Sequence, residues 1–172
     1  MVGLGEPLRP RLANLSWCKN LSANINPYGA FSFKVIIDGV PAMDFAECVL
    51  PTVSVEAVEY RQGADVENNV HKLPGLVKYG NLILKRGIAN SADSLALWNW
   101  ISGFIQGSGA TRALSVNLLD SERNPVFQWS FSIAWPVKYE SPILNGKTNA
   151  LAIETLELAV EGIKVSIPGQ TT

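Results

Sequence analysis

Histidine and cysteine are scarce in this sequence, and their scarcity argues against several kinds of site. His71 is the one histidine, and Cys18 and Cys48 are the two cysteines. Zinc sites use such ligands in closely spaced pairs, a spacing that these three residues do not have. The sequence also lacks a G-x-S-x-G nucleophile motif, a Walker loop and a G-x-G-x-x-G motif. We therefore expect no catalytic residue, no metal site and no bound cofactor.

Charge is low as well, and long apolar runs are missing. Charged residues make up 17% of the chain and the formal net charge is −1. The sequence therefore lacks the excess of basic residues that indicates nucleic-acid binding. Without a run of about 20 apolar residues, we expect no transmembrane helix. The first residues lack the apolar segment of a secretory signal, so we expect synthesis in the cytoplasm and reduced cysteines. Low charge also suggests that other subunits cover part of the surface.

The chain divides into an arm, one domain and a short tail. Residues 1–26 contain two prolines and scattered polar residues, and we interpret them as an N-terminal arm that orders against a neighbour. The turn signal Asn26-Pro27-Tyr28-Gly29 opens the folded part. Residues 27–168 are expected to form a single β-barrel domain, followed by a flexible tail at 169–172.

Alternation of apolar and polar residues predicts seven strands. The clearest is 126–135, with five apolar side chains on one face: Phe127, Trp129, Phe131, Ile133 and Trp135. The other strands cover residues 31–38, 43–50, 53–61, 79–86, 113–119 and 151–165. Asp38-Gly39 is interpreted as a hairpin turn between the first two, and residues 62–75 as a polar loop. The fold class is therefore mainly β: two packed antiparallel sheets that form a small barrel with one α-helix.

Apolar residues at helical spacing predict that helix over 91–105. Asn90 or Ser91 is the expected cap, and Asp93 suits the positive end of the helix dipole. The stripe that we expect to pack on the core consists of Leu97, Ile101 and Phe104.

Several collinear motifs resemble one known family. Residues 71–87 read HKLPGLVKYGNLILKRG, which is similar to the K-L-P-G-x-x-K-Y-G-N-x-x-L-K-R-G segment of the phage tail tube family. Residues 58–61 (VEYR) with Gly63, and 152–162 (AIETLELAVEG), resemble two further family segments. Together with 26–39, the resemblance covers about residues 27 to 165. The same family includes tubes of extracellular contractile injection systems, and its fold is shared with the Hcp tube of type VI secretion.

The resemblance implies a structural protein that assembles. Members of the family form hexameric rings that stack into a tube inside a contractile sheath, with baseplate and terminator proteins at the ends. Cargo or DNA passes through the lumen without specific binding, and no membrane insertion is implied. The finished tube belongs to a phage virion or to a phage-tail-like particle.

Other readings stay open on the sequence alone. A phage tail and a bacterial injection system are not distinguished, nor are the main tube subunit and a baseplate-proximal paralogue. The alternative is a soluble β-barrel module that binds a small ligand, and a third reading is an enzyme whose site is not visible. The particle size in solution distinguishes the two first readings: a carrier would be a monomer or dimer, whereas a tube protein should form rings or filaments.

Two sets of residues are expected at functional surfaces. The long loop 62–78 is expected at a contact between subunits, with its charged residues pairing between neighbours: Asp65, Glu67, Lys72 and Lys78. The last strand is expected to turn Leu156, Leu158 and Val160 to the core. Its opposite face, with Thr155, Glu157 and Glu161, is then expected to line the lumen. The arm is expected to contribute to ring stacking.

Overall fold

The computed structural model describes residues 27–41, 43–63, 69–89 and 94–169. The predicted arm at 1–26, the helix-capping residues and Asp65 and Glu67 lie outside the described residues. Most of the predicted tail, residues 170–172, lies outside them too.

The described part of the chain contains eight strands and one helix. They are β1 (Phe33–Ile37), β2 (Glu47–Val49), β3 (Val53–Tyr60), β4 (His71–Tyr79), β5 (Leu82–Gly87), α1 (Ala96–Ile105), β6 (Arg112–Leu119), β7 (Pro125–Glu140) and β8 (Ile153–Ser166). Six strands form one antiparallel sheet in the order β1-β6-β7-β8-β5-β2, and β3 and β4 form a separate two-stranded hairpin. The predicted mainly β class with one helix is confirmed, and the large sheet curls into a half-barrel.

Two local predictions about the chain path are wrong. Asp38-Gly39 does not join a hairpin, because β1 pairs with β6 and β2 pairs with β5. Residues 71–75, predicted as loop, are the first half of β4. Pro74 and Gly75 gave the appearance of a turn, but Pro74 lies on a hairpin edge, where a missing N–H donor is tolerated.

The core lies on one face of the curled sheet and under the helix. Its fully buried large side chains are Leu82, Leu84, Leu97, Phe131, Leu156 and Leu158. They come from the strands β5, β7 and β8 and from the helix α1. The two long strands β7 and β8 therefore connect the part of the core on β5 with the part under the helix. The core face of β8 is the one expected from its period of two.

The core face of β7 changes along the strand. We predicted that Ile133 and Trp135 share the buried face of Phe131, and this is wrong: both are more than a third exposed, while Ala134 is fully buried. The register against β6 shifts between its pairs with Arg112 and Leu114, which places one extra β7 residue there. Such a bulge transfers every later side chain to the opposite face.

The neighbouring strand β8 changes face at the same level. Val160 is buried and Ile163 packs against the core, although the two are three residues apart. Gly162 lies between them with a φ of +66°, a conformation that favours glycine. The sequence-based prediction of a bend near Gly162 agrees with this geometry. The paired bends let the sheet curl around its own core.

Candidate assembly surfaces

The β3–β4 hairpin projects from the body with both faces exposed. Every residue of β3 is exposed, and so is every residue of β4 except Gly75. The hairpin nevertheless carries many large apolar side chains that are 41–73% exposed: Val53, Val55, Val58, Tyr60, Leu73, Leu76, Val77 and Tyr79. An isolated two-stranded ribbon is at best marginally stable in water. An apolar ribbon of this kind is therefore a surface that needs a partner.

The two predicted contact lysines lie on this hairpin. Lys72 and Lys78 belong to β4, and the structure pairs each with a glutamate of β3. The Lys72 Nζ lies 4.0 Å from the Glu59 Oε1, and Lys78 forms an ion pair with Glu56. All four side chains are about half exposed or more. Within one chain, these charges are thus balanced inside the hairpin.

The helix packs on the body through one buried side. Leu97 and Trp100 are buried, whereas Ile101 and Phe104 are half-buried. The Trp100 Nε1–H donates to the Ala110 carbonyl at 3.0 Å. The stripe predicted from the sequence does not include Trp100, yet Trp100 is buried more deeply than Phe104. Its hydrogen bond satisfies the indole donor, which allows the ring to be buried.

Exposed apolar side chains also lie on the flank of the helix and at its start. Leu95, Trp98 and Ile105 are 62%, 45% and 72% exposed. The Trp98 ring makes one edge contact with Tyr139, with ring centroids 5.4 Å apart. The helix therefore presents a second apolar surface, separate from the hairpin.

The residues expected to line the lumen lie opposite the core. Leu156 and Leu158 are buried, so Thr155 and Glu157 point to the other face of the sheet. The Asn81 side chain donates to the Glu157 carboxylate at 2.7 Å, and Lys138 is its cross-strand neighbour on β7. Glu161 is exposed beside the bend at residue 162.

This face carries charges of both signs rather than carboxylates alone. The Lys85 Nζ lies 2.9 Å from Glu47, and the Lys138 Nζ lies 2.6 Å from Glu140. The hydrogen bond and charge of Glu140 raise the pKa of Lys138, and Lys138 lowers the pKa of Glu140 in return. The strand register places these pairs beside Thr155 and Glu157. The resulting surface is polar and carries both signs of charge, with carboxylates in excess of lysines.

A buried ion pair, not predicted from the sequence, ties several segments to the core. The Arg86 Nε–H donates to the Glu154 carboxylate, and both side chains are less than 10% exposed. The Tyr139 hydroxyl donates to the other Glu154 oxygen at 2.7 Å. Burial first, then this hydrogen bond, raises the pKa of Tyr139 to about 12. A signal was present, because Arg86 follows Leu82 and Leu84 at a period of two, on the core face.

The described residues offer little for catalysis or metal binding. No group of three His, Cys, Asp or Glu side chains in the described ranges could hold a metal ion. Burial raises the pKa of the Cys48 thiol to about 11, so it stays protonated and unreactive at neutral pH. None of the helices in this part of the chain is long and apolar enough to cross a membrane.

The interior of the half-barrel is filled rather than hollow. Phe131, Leu156 and Leu158 occupy it with at most 2% of their surface exposed. A cavity of about 450 Å³ instead opens on the side away from the core, where Ile36, Ser115 and Lys164 contribute to its lining. A carrier barrel encloses its ligand inside, so this packing does not favour the small-ligand reading.

Comparison with solved structures shows where this fold occurs. A chain of the extracellular contractile injection system PVC, solved as a sheath–tube complex in the extended state, has a TM-score of 0.73 at 20% identity, covering 84% of this chain and 94% of that chain. A chain of the anti-feeding prophage (AFP) baseplate gives 0.71 at 21% identity, covering 84% and 99%. A type six secretion system protein gives 0.51 at 14% identity, covering 79% and 83%. At these identities the likeness shows a shared fold.

Sequence comparison goes further than the fold. No match was found among curated protein sequences. Residues 29–164 match the family described as T4-like virus tail tube protein gp19. The matched region includes the exposed hairpin, the helix and both long strands. Because it spans far more than half of the sequence, this chain belongs to the T4-like virus tail tube protein family.

Proposed function

We propose that this chain is the structural inner-tube subunit of a contractile phage tail or phage-tail-like injection particle. Six copies close a ring, and rings stack into a conduit for cargo or DNA. Family membership supports the tube role. The observation that carries assembly is the β3–β4 hairpin, whose two exposed faces hold apolar side chains that a lone subunit leaves in water. Subunit contacts would cover them.

The hairpin is accordingly the contact segment that we propose between subunits. It carries Lys72 and Lys78, and Asp65 and Glu67 lie between its two strands in the sequence. The internal ion pairs hold the β3 and β4 side chains in register, while the apolar residues supply the contact energy. Exposed ion pairs contribute little by themselves, roughly 0–1 kcal/mol each.

We propose that other surfaces of the subunit contact other components of the tail. The exposed side of α1 with Leu95, Trp98 and Ile105 is proposed to face outward, towards a sheath protein. Thr155, Glu157 and Glu161 are proposed to line the bore, where mixed charges would let cargo pass without tight binding. Baseplate and terminator proteins are proposed at the two ends, and residues 1–26 are proposed to assist stacking. These roles need no catalysis, and assembly in the cytoplasm would precede incorporation into the particle.

Particle size tests this proposal. The full chain should form ring-sized particles or tubes in sedimentation velocity runs and negative-stain micrographs. A matched variant, Val55→Thr/Val77→Thr/Val58→Thr/Leu73→Thr, keeps strand-compatible residues but removes apolar surface from the hairpin. It should remain folded and sediment as a monomer. A wild-type chain that stays monomeric at every accessible concentration would contradict the tube role.

A further inference from the structure

The connection between β7 and β8 contains the dipeptide Asn145-Gly146 in an exposed turn. Residues 143–150 are all exposed, and Gly146 and Lys147 form the centre of the turn. The Asn145 carbonyl closes it by accepting the Thr148 N–H at 3.5 Å. Asparagine favours the first position of such a turn, because its side chain can bind the backbone that follows. Asn145 is therefore held in a defined conformation and is open to water.

The side chain of Asn145 folds back over the turn. Its Oδ1 accepts the Lys147 N–H at 3.0 Å. A side chain that reaches the N–H two residues further on must pass beside the nitrogen of the intervening residue, Gly146. The Asn145 amide carbon, Cγ, is thereby held on the side of the chain where that nitrogen lies. The hydrogen bond also draws electron density from Cγ towards Oδ1, which makes Cγ a better target for a nucleophile.

The Gly146 nitrogen is unobstructed as well. Within the described ranges, its N–H takes part in no hydrogen bond, so no acceptor has to be given up before it reacts. A Cβ placed on Gly146 would meet nothing within 4 Å, which shows open space around the residue. Since glycine has no side chain, it leaves its own nitrogen unshielded. A nucleophile and an electrophile are thus neighbours in one turn, with room to react.

We propose that Asn145 is a site of spontaneous covalent modification, in which its side-chain amide becomes a carboxylate. The Gly146 nitrogen loses its proton and bonds to the Asn145 Cγ, and the Cγ–Nδ2 bond breaks to release ammonia. The product is a cyclic succinimide formed from both residues. Water then adds to one of the ring carbonyl carbons and opens the ring, leaving either aspartate or isoaspartate. Water is the other reactant, and nothing is oxidised or reduced.

The modification changes the surface of the subunit at one point. It adds one negative charge to a chain whose formal net charge is −1. The new carboxylate directly follows Ile143 and Leu144, which are 90% and 83% exposed. In the isoaspartate form, the main chain also runs through the former side chain and gains a methylene group. Because burying a charge costs free energy, an aged subunit resists any contact that covers this turn.

Other asparagines of the chain serve as internal controls. Asn149 is exposed in the same connection, but Ala150 follows it, and the alanine methyl group shields the nitrogen that would attack. Asn124 precedes Pro125, whose nitrogen lacks the proton that the reaction removes. Trypsin cleaves after Lys147, so positions 145 and 149 fall in different peptides.

Peptide mapping by mass spectrometry tests the proposal on the dilute, full-length protein. The protein is incubated in mildly alkaline buffer at physiological temperature and digested at intervals. The peptide with Asn145 should lose the mass of ammonia and gain that of water, whereas Asn149 and Asn124 should stay amides over the same time. Methylation by a protein isoaspartate methyltransferase should mark position 145, and ion exchange should show a more acidic species that increases with time.

Two variants locate the reacting atoms. Gly146→Ala should fold like the wild type, because Gly146 has no positive φ and has space for a Cβ, and it should slow the conversion several-fold. Asn145→Gln should stop it, since the longer side chain has to close a larger ring. Circular dichroism and urea unfolding check both folds. The proposal is overturned if Asn145 stays an amide, if Asn149 converts as fast, or if Gly146→Ala converts at the wild-type rate.

Discussion

Glu154 and Arg86 form an ion pair inside the core, although they are 68 residues apart in sequence. They are direct cross-strand partners on β8 and β5. The Arg86 guanidinium also donates to the Ser94 carbonyl at 2.6 Å and lies 3.1 Å from the Met43 Sδ. One side chain thereby joins the sheet to the start of the helix and to the segment before β2.

Removing one partner of this pair should cost far more than removing both. Arg86→Met leaves the Glu154 carboxylate buried without its cation, and we expect a loss of about 3–5 kcal/mol in the free energy of unfolding. Arg86→Met/Glu154→Leu replaces both charges by apolar groups and should recover most of that loss. Urea unfolding of the three proteins measures it. Equal losses in the single and double variants would show that the charge itself is not the cause.

Gly162 should tolerate alanine poorly because two effects coincide there. Its φ of +66° disfavours an L side chain, and a Cβ would overlap the Ser132 hydroxyl. Gly107→Ala is the control, since Gly107 has a φ of +76° with open space around it, and it should cost about 1–2 kcal/mol. Gly162→Ala should cost about 1–3 kcal/mol more, because packed neighbours must move. Similar losses at both positions in thermal unfolding would mean that Ser132 moves away freely.

The burial of each side chain ranks the stability losses that we expect from substitutions in the helix. Leu97 is 1% exposed, so Leu97→Ala should destabilise the fold by about 2–5 kcal/mol. Phe104 is half-buried against Trp135, with ring centroids 6.1 Å apart, and Phe104→Ala should cost about 2 kcal/mol, below the range for a fully buried Phe. Denaturant unfolding of the monomer measures both. A loss at Phe104 below about 1 kcal/mol would mean that its ring serves the assembly surface rather than the core.

Tyr139 should make stability fall at high pH. The pKa of its hydroxyl is raised from 10.0 to about 12 in the folded protein, so the folded state holds this proton more tightly than the unfolded state does. The corresponding stabilisation is complete below pH 10 and is lost as the pH rises through about 12. Tyr139→Phe should remove this part of the pH dependence when urea midpoints are compared between pH 9 and 12. Parallel curves for the two proteins would contradict the assignment.

The lumen assignment can be tested by reagent size. In assembled tubes, Glu157→Cys should react with a small maleimide but only slowly with a polymer-linked one, because the bore excludes large molecules. Asn99→Cys, exposed on the helix that we propose faces outward, should react with both. The wild type corrects for Cys18 and Cys48. Equal rates of polymer labelling at positions 157 and 99 would place Glu157 outside the bore.

Most individual elements follow from local sequence. A period of two along residues 151–165 correctly turned Leu156 and Leu158 to the core, because a strand that buries one face must alternate. The helix was predicted from its apolar spacing; its end at Ile105 agrees with the structure, whereas it begins at Ala96 and not at residue 91. The motifs in 71–87 indicated the family that the match over 29–164 confirms.

Only the tertiary structure decided how these elements combine. Asp38-Gly39 reads as a hairpin turn, yet β1 and β2 each pair with a strand distant in sequence, since register depends on contacts that no local window contains. The bulge after Phe131 and the bend at Gly162 exchange the two faces because the curled sheet must keep one side on its core. The pairing of β5 with β8 in this sheet places Arg86 opposite Glu154. An alternating sequence specifies that the two faces of a strand differ in polarity, whereas the neighbouring strands determine which face is buried and what that face contacts.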